Sequence, residues 1–214
     1  LFWYTIRTNA MLHTKAVESR TLGVIQSLCN KDYMHPYLLV GGTALALQIG
    51  HRTSTDIDFF INHPHDTNQL LINLKNDFLI NEKNAYRHAL FVDVEGIKTD
   101  IVYQKCNIID EPKIIDGVKM ASLKEIAPMK LLALTNRGRK RDFIDIYFLM
   151  KEFTLERMLF FFKEKFENDN FYLITRSLIY FEDADKDHDL KYFFNETWNE
   201  IKKYIVHEVK KVGF

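Results

Sequence analysis

Two aspartates separated by a single isoleucine, Asp56 and Asp58, stand in the run TDIDFFI, between a polar turn and a strongly apolar stretch. In an extended chain side chains alternate faces, so Asp56, Asp58 and Phe60 share one side while Ile57, Phe59 and Ile61 share the other. Two ionised carboxylates projecting together repel, and beside a part-buried sheet that repulsion is costly unless a cation or a donor compensates. A divalent ion meets the need: magnesium takes hard oxygen ligands, keeps several waters and commonly joins one or two carboxylates to substrate phosphates. Asp100, inside the β-rich run IKTDIVY, supplies a third carboxylate if its strand lies beside the first. Three acids around one or two ions suit phosphoryl displacement, in which an attacking hydroxyl is aligned and transition-state charge is neutralised. The plainer alternative is that DxD and Asp100 only mark wet faces of edge strands.

What precedes the acids argues against that alternative. YLLVGG reads as a short buried strand stopped by glycine, and ALALQIG as a helix that Thr43 caps and Gly50 ends. Glycine lets backbone N–H groups approach phosphates closely, and a helix N-terminus favours anions. Other groups are candidates for the same chemistry. Arg52, in GHRTSTD, is placed to hold substrate phosphates or to pair with Asp58, and Ser54 to bond a phosphate or simply to form the turn. Lys130, within PMKLLAL on a largely buried helix, wants an anion, either a phosphate or an acid such as Asp142. Arg137, Arg139, Lys140 and Arg141 put four cations in five residues, suited to a triphosphate or an RNA backbone, unless they form an ordinary solvated loop.

The elements that must position these groups fall into two kinds. TKAVESRTLGVIQSLCN and NQLLINLKNDFLI carry helical spacing, while HALFVDVEG and IKTDIVYQ read as two strands joined in a hairpin at Glu95 and Gly96. From Ser122 the pattern turns helical: SLKEIA has Ser and Glu at capping-box spacing, and Pro128 suits the first turn of a new helix continuing through MKLLALTN. RDFIDIYFLMKEF, LERMLFFFKEKFE, YLITRSLIYFED and FFNETWNEIKKYIVHEVKK follow as further helices. The expected fold is α+β: a small mixed sheet flanked by helices over residues 11–118, and an α-helical half over residues 119–214.

Composition bounds the partners. Lysine plus arginine total 29 of the 214 residues and aspartate plus glutamate also total 29, so no global charge advertises a nucleic acid or an anionic membrane. Two cysteines, Cys29 and Cys106, without a CxxC pair, fit a reducing cytoplasm better than a disulfide scaffold. LFWYTI lacks the basic region and cleavage site of a signal peptide, and no run approaches a membrane span; Met11 is read as a natural start preceded by an extension.

Val40, Gly41, Gly42, a gap of thirteen residues (43–55), then Asp56, Ile57, Asp58 and Phe59 resemble the signature of the nucleotidyltransferase superfamily. Together with MKLLALTNRGRKRDFIDIYFLM and SLIYFEDAD, the string LVGGTALALQIGHRTSTDIDFF is similar to the AbiEii/AbiGii toxin family of bacterial nucleotidyltransferases, over about residues 14 to 205. The resemblance implies that Gly41, Gly42 and Thr43 contact an NTP while Asp56 and Asp58 hold Mg2+ or Mn2+. It makes Asp100 a third metal ligand or the base, Lys130 a triphosphate contact and Asp142 the family's second-helix acid. It further implies transfer of NMP to a hydroxyl acceptor by a toxin of a toxin–antitoxin or phage-defence system, with a tRNA 3′ end as acceptor, a cognate antitoxin as partner and no membrane. Two rivals are an antibiotic-modifying nucleotidyltransferase and a nucleotide-binding regulatory module without turnover.

Overall fold

A computed structural model describes residues 11–188 and 191–213; the extension before Met11 lies outside the described residues. In chain order the elements are α1 (Ser19–Cys29), β1 (Leu38–Leu39), α2 (Gly41–Ile49), β2 (Ile57–Ile61), α3 (Thr67–Asp77), β3 (Ile80–Tyr86), β4 (Ala89–Val94) and β5 (Ile97–Tyr103). They continue with β6 (Lys113–Ile115), β7 (Val118–Met120), α4 (Leu123–Asn136), α5 (Lys140–Glu152), α6 (Leu155–Phe166), α7 (Phe171–Leu178) and α8 (Trp198–Lys211). Among the described residues the strands form one mixed seven-stranded sheet in the order β3-β4-β5-β2-β1-β7-β6. The α+β class expected from the sequence is the class observed.

Alternation explains the central strands. In β4 every second residue is buried, with Leu90, Val92 and Val94 fully inside, and β2 carries Ile57, Phe59, Phe60 and Ile61 into the core. Glu95 and Gly96 make the β4–β5 hairpin, both at positive φ. The pairing that matters most is parallel: β2 lies beside β5 with Asp58 opposite Asp100 and Phe60 opposite Val102.

The helical half is organised on α4, which packs against α2, α5, α6 and α7. Ser122 caps it by accepting the Glu125 N–H at 3.3 Å. The Glu125 carboxylate does not complete a capping box; it turns to the N–H groups of Ile109 and Asp110 and to the buried Lys165 ammonium at 2.5 Å. Pro128 does not open a new helix, contrary to expectation. It lies buried inside a single helix from Leu123 to Asn136, where packing outweighs the backbone hydrogen bond that its ring forgoes. Strand β3 was not anticipated, because INEKNAY is polar and sits at the sheet's edge. The last helical segment begins only at Trp198, where Thr197 and Glu200 form a full capping box, and ahead of it Tyr192 forms an isolated β-bridge with Arg52. Among the described residues no helix is long and apolar enough to cross a membrane.

Candidate active site

The site begins where β1 ends. Val40 is extended and donates its N–H to the Asp58 carbonyl at 2.8 Å, and Gly41 then turns the chain at φ +70° into α2. A Cβ at Gly41 would overlap the Asp58 carboxylate, and a Cβ at Gly42 would overlap the Arg52 guanidinium. The two glycines therefore let a carboxylate and a guanidinium reach the helix start. No side chain caps α2: Thr43, expected as the cap, lies inside the first turn, where its hydroxyl bonds to the Asp56 carbonyl and contacts Ser54 Oγ at 2.9 Å. Ser54 and Thr43 thus join the start of α2 to the segment leading into β2, while the first-turn amides keep no capping side chain.

On the sheet, the β2–β5 register brings Asp58 and Asp100 side by side, with Asp56 on the same face just ahead of β2. Lys98, two residues before Asp100, sets its ammonium 3.1 Å from Asp100 Oδ2 and 3.7 Å from Asp56 Oδ2. Burial would lower the Lys98 pKa, but Asp100 first, then Asp56 and Asp58, raise it above the ordinary value. Burial pushes the Asp58 carboxyl up; Asp100 and Asp56 add to the rise, and Lys130 and Lys98 oppose it. Asp100 Oδ1 is buried without a hydrogen-bond partner. Among the described residues no three His, Cys, Asp or Glu side chains are gathered tightly enough to enclose a metal ion in this arrangement. The donor set nevertheless suits a hard divalent cation: it is made of carboxylate oxygens, one of them is orphaned, and a lysine cation is already drawn between two of the acids.

Facing the acids, α4 and α5 supply a buried charge network. Lys130, 5% exposed, sets its ammonium 2.6 Å from Asp145 Oδ2 and 3.5 Å from Asp142 Oδ1. Arg52 grips Asp145 with two bonds, Nε to Oδ1 at 2.6 Å and Nη2 to Oδ2 at 2.8 Å, and is itself 2% exposed. His51 Nε2 lies 2.7 Å from the same carboxylate. Burial alone would raise the Asp145 carboxyl, but Arg52 and Lys130 together hold it well below the usual range. Burial lowers the His51 pKa against the pull of Asp145, and Nε2 donates to that carboxylate. Asp142, wholly buried, takes a further bond from Arg137 Nε at 3.3 Å. Of the two roles open to Arg52 in the sequence, phosphate contact or pairing with Asp58, the second is not realised: its carboxylate partner is Asp145, on a helix 93 residues away in the chain.

Between the two layers runs a cleft of about 220 Å³, lined by Gly41, Asp58, Asp100, Lys130 and Arg137 over an apolar floor that includes Phe60 and Met129. Of the four clustered cations only Arg137 lines it. Lys140 turns its ammonium over the Trp198 ring at 5.5 Å, while Arg139 is exposed and Arg141 half-buried at the start of α5. Asp145, His51 and Lys98 were not singled out from the sequence. The only signals were a second acid three residues after Asp142 on a buried helix, and a lysine on the same strand face as Asp100.

A helix start with an uncapped first turn, two strand-borne carboxylates beneath it and a buried lysine opposite suit the binding of a nucleoside triphosphate. JHP933 from Helicobacter pylori shares the fold, with a TM-score of 0.51 and 21% identity over 92% of this chain and 94% of that one. Residues 24–211 match the AbiEii family, described as nucleotidyl transferase toxins of type IV toxin–antitoxin systems. An uncharacterized protein of Aquifex aeolicus (strain VF5) is 32% identical over 195 residues, 86% of this chain and 89% of that protein. The chain belongs to the AbiEii nucleotidyl transferase toxin family.

Proposed function

We propose that the protein transfers NMP from an NTP to the hydroxyl of an acceptor and releases pyrophosphate. The observation that supports this is the meeting of Asp58 and Asp100, on paired strands, directly against Gly41 and across a cleft from Lys130. The triphosphate lies along the start of α2, where the N–H groups of Gly41, Gly42 and Thr43 and the helix dipole favour its negative charge. Lys130 faces it, its ammonium anchored by Asp142 and Asp145, and Arg52 and Ser54 support the loop rather than reach far into the cleft. Asp56, Asp58 and Asp100 would hold Mg2+ or Mn2+, which when bound would supply Lewis-acid stabilisation of the phosphoryl oxygens.

In the transfer step the acceptor oxygen forms a bond to the α-phosphorus as the α–β phosphoanhydride breaks. The hydroxyl proton passes to the partnerless Asp100 Oδ1, and pyrophosphate carries away the bond electrons. The two halves divide this work: residues 11–118 hold nucleotide and cation, and residues 119–214 bring Lys130, Asp142 and, of the basic turn that also carries Arg139, Lys140 and Arg141, the acceptor-facing Arg137. On this reading the acceptor is a tRNA 3′ end met in the cytoplasm, a cognate antitoxin restrains the transfer, and phage defence is the setting.

Incubation with Mg2+, each α-labelled NTP in turn, and total tRNA, protein or an aminoglycoside tests the reading. Label is expected on tRNA and absent with Asp58→Ala. Label on an aminoglycoside would support the antibiotic-modifying reading instead, and NTP binding with no label on any acceptor would support a regulatory module.

A further inference from the structure

Beside the cleft lies a second cavity of about 520 Å³, between the end of α4 with its following turn and α7. Arg137 lines both spaces. Its Nε is fixed on Asp142, and its side chain is 52% exposed, so the guanidinium stands at the boundary with other N–H groups available to a ligand. Across the second cavity Arg176 is exposed, with no ion pair among the described residues. Tyr180, 49% exposed, closes one side with its hydroxyl turned to Glu182 at 3.1 Å, and Asn136 and Ser177 add amide and hydroxyl groups. Two guanidinium groups face one carboxylate, that of Asp183.

We propose that this second cavity is the acceptor subsite and that it takes the terminal nucleotides of a single-stranded polynucleotide. The proposal rests on the nucleotidyl-transfer reading of the neighbouring cleft. An acceptor whose last hydroxyl enters that cleft carries its next phosphodiester past Arg137, where planar guanidinium groups match phosphate oxygens. The base one step back meets Tyr180, a stacking surface that does not depend on base identity. Asn136 and Ser177 offer bonds to sugar and base edges. The same chemistry opposes an aminoglycoside, whose several ammonium groups would be repelled by Arg137 and Arg176. A peptide acceptor would leave the paired guanidinium groups without their anions.

The test is anisotropy with a 5′-fluorescein-labelled single-stranded RNA bearing a free 3′-OH, applied to the wild-type chain, Arg176→Glu and Tyr180→Ala. Both substituted residues are exposed, so the fold is retained. Arg176→Glu is expected to weaken RNA binding roughly ten-fold or more and to reduce the log–log salt slope by about 1. Tyr180→Ala is expected to weaken it roughly five-fold or more, with little change in salt slope. Binding of a fluorescent NTP analogue with Mg2+ should be unchanged in both variants. RNA affinity unaltered by Arg176→Glu would overturn the proposal, as would loss of NTP and RNA binding in equal proportion. Failure of the wild-type chain to bind RNA, with label passing to a protein or an aminoglycoside, would also overturn it while leaving nucleotidyl transfer intact. Transfer persisting in Asp58→Ala would instead sink the reading of the cleft itself.

Discussion

The Lys130 ammonium and the Asp145 carboxylate meet at 2.6 Å with both side chains withdrawn from water. Asp145 also holds Arg52, so one acid on α5 fixes a cation of the cleft and a cation of the glycine turn together. Removing it leaves two buried cations uncompensated, and Asp145→Ala should cost roughly 3–5 kcal/mol in urea unfolding. Because the folded Asp145 carboxyl sits well below its ordinary value near ~3.9, its contribution is fully present at neutral pH and is lost only as strong acid protonates it. A double variant, Asp145→Asn with Lys130→Met, should lose less than the sum of the single losses; strict additivity would show that the two do not act as a unit.

Lys98 occupies the position between Asp56 and Asp100 that a cation would take. A divalent ion binding without nucleotide must displace it, so Lys98→Met should tighten Mn2+ binding several-fold, measured by electron paramagnetic resonance on the NTP-free protein. Asp100→Asn serves as the control that abolishes it. Equal Mn2+ affinity in wild type and Lys98→Met would show that the ammonium does not compete.

Asp58 carries a stability cost that the chemistry requires. Its folded carboxyl is raised above the unfolded value near ~3.9, so the stability it contributes is fully present below that pH and is lost as pH rises through the folded value. At pH 7.5 Asp58→Asn should therefore raise the melting temperature while abolishing transfer. A variant that melts lower than wild type at pH 7.5 and equally at pH 4 would contradict the electrostatic account.

Gly41 and Gly42 differ in what an added methyl would meet. Gly41→Ala strains a positive φ and pushes on Asp58, so it should weaken NTP and metal binding together. Gly42→Ala pushes on a guanidinium locked by Asp145, and should lower stability by roughly 1–3 kcal/mol, read by calorimetry. An Asp145→Asn background, where Arg52 is freer to move, should reduce the second penalty.

Much of this site was legible in the chain because its signals are local. Alternation along TDIDFFI put Asp56 and Asp58 on one face, and the glycine pair marked a turn that the backbone at Gly41 requires. The hairpin at Glu95 and Gly96 was legible for the same reason, since turn chemistry is written in two residues. Strand β3 was not, because a polar edge strand carries no apolar period, and the helix through Pro128 was not, because packing outweighed a local breaker.

From the order of its residues alone, the protein has a strand, a glycine turn, a helix and a pair of same-face acids, since backbone geometry and side-chain alternation act over a few positions. Only the tertiary structure decided that Asp100 stands opposite Asp58, that Arg52 belongs to Asp145 rather than to a nearby acid, and that Lys98 stands between Asp56 and Asp100. Those are choices of partner among many charges of similar type. Strand register sets the first and third, and burial sets the second, because an ion withdrawn from water must take whichever opposite charge the packed helices and strands bring within reach.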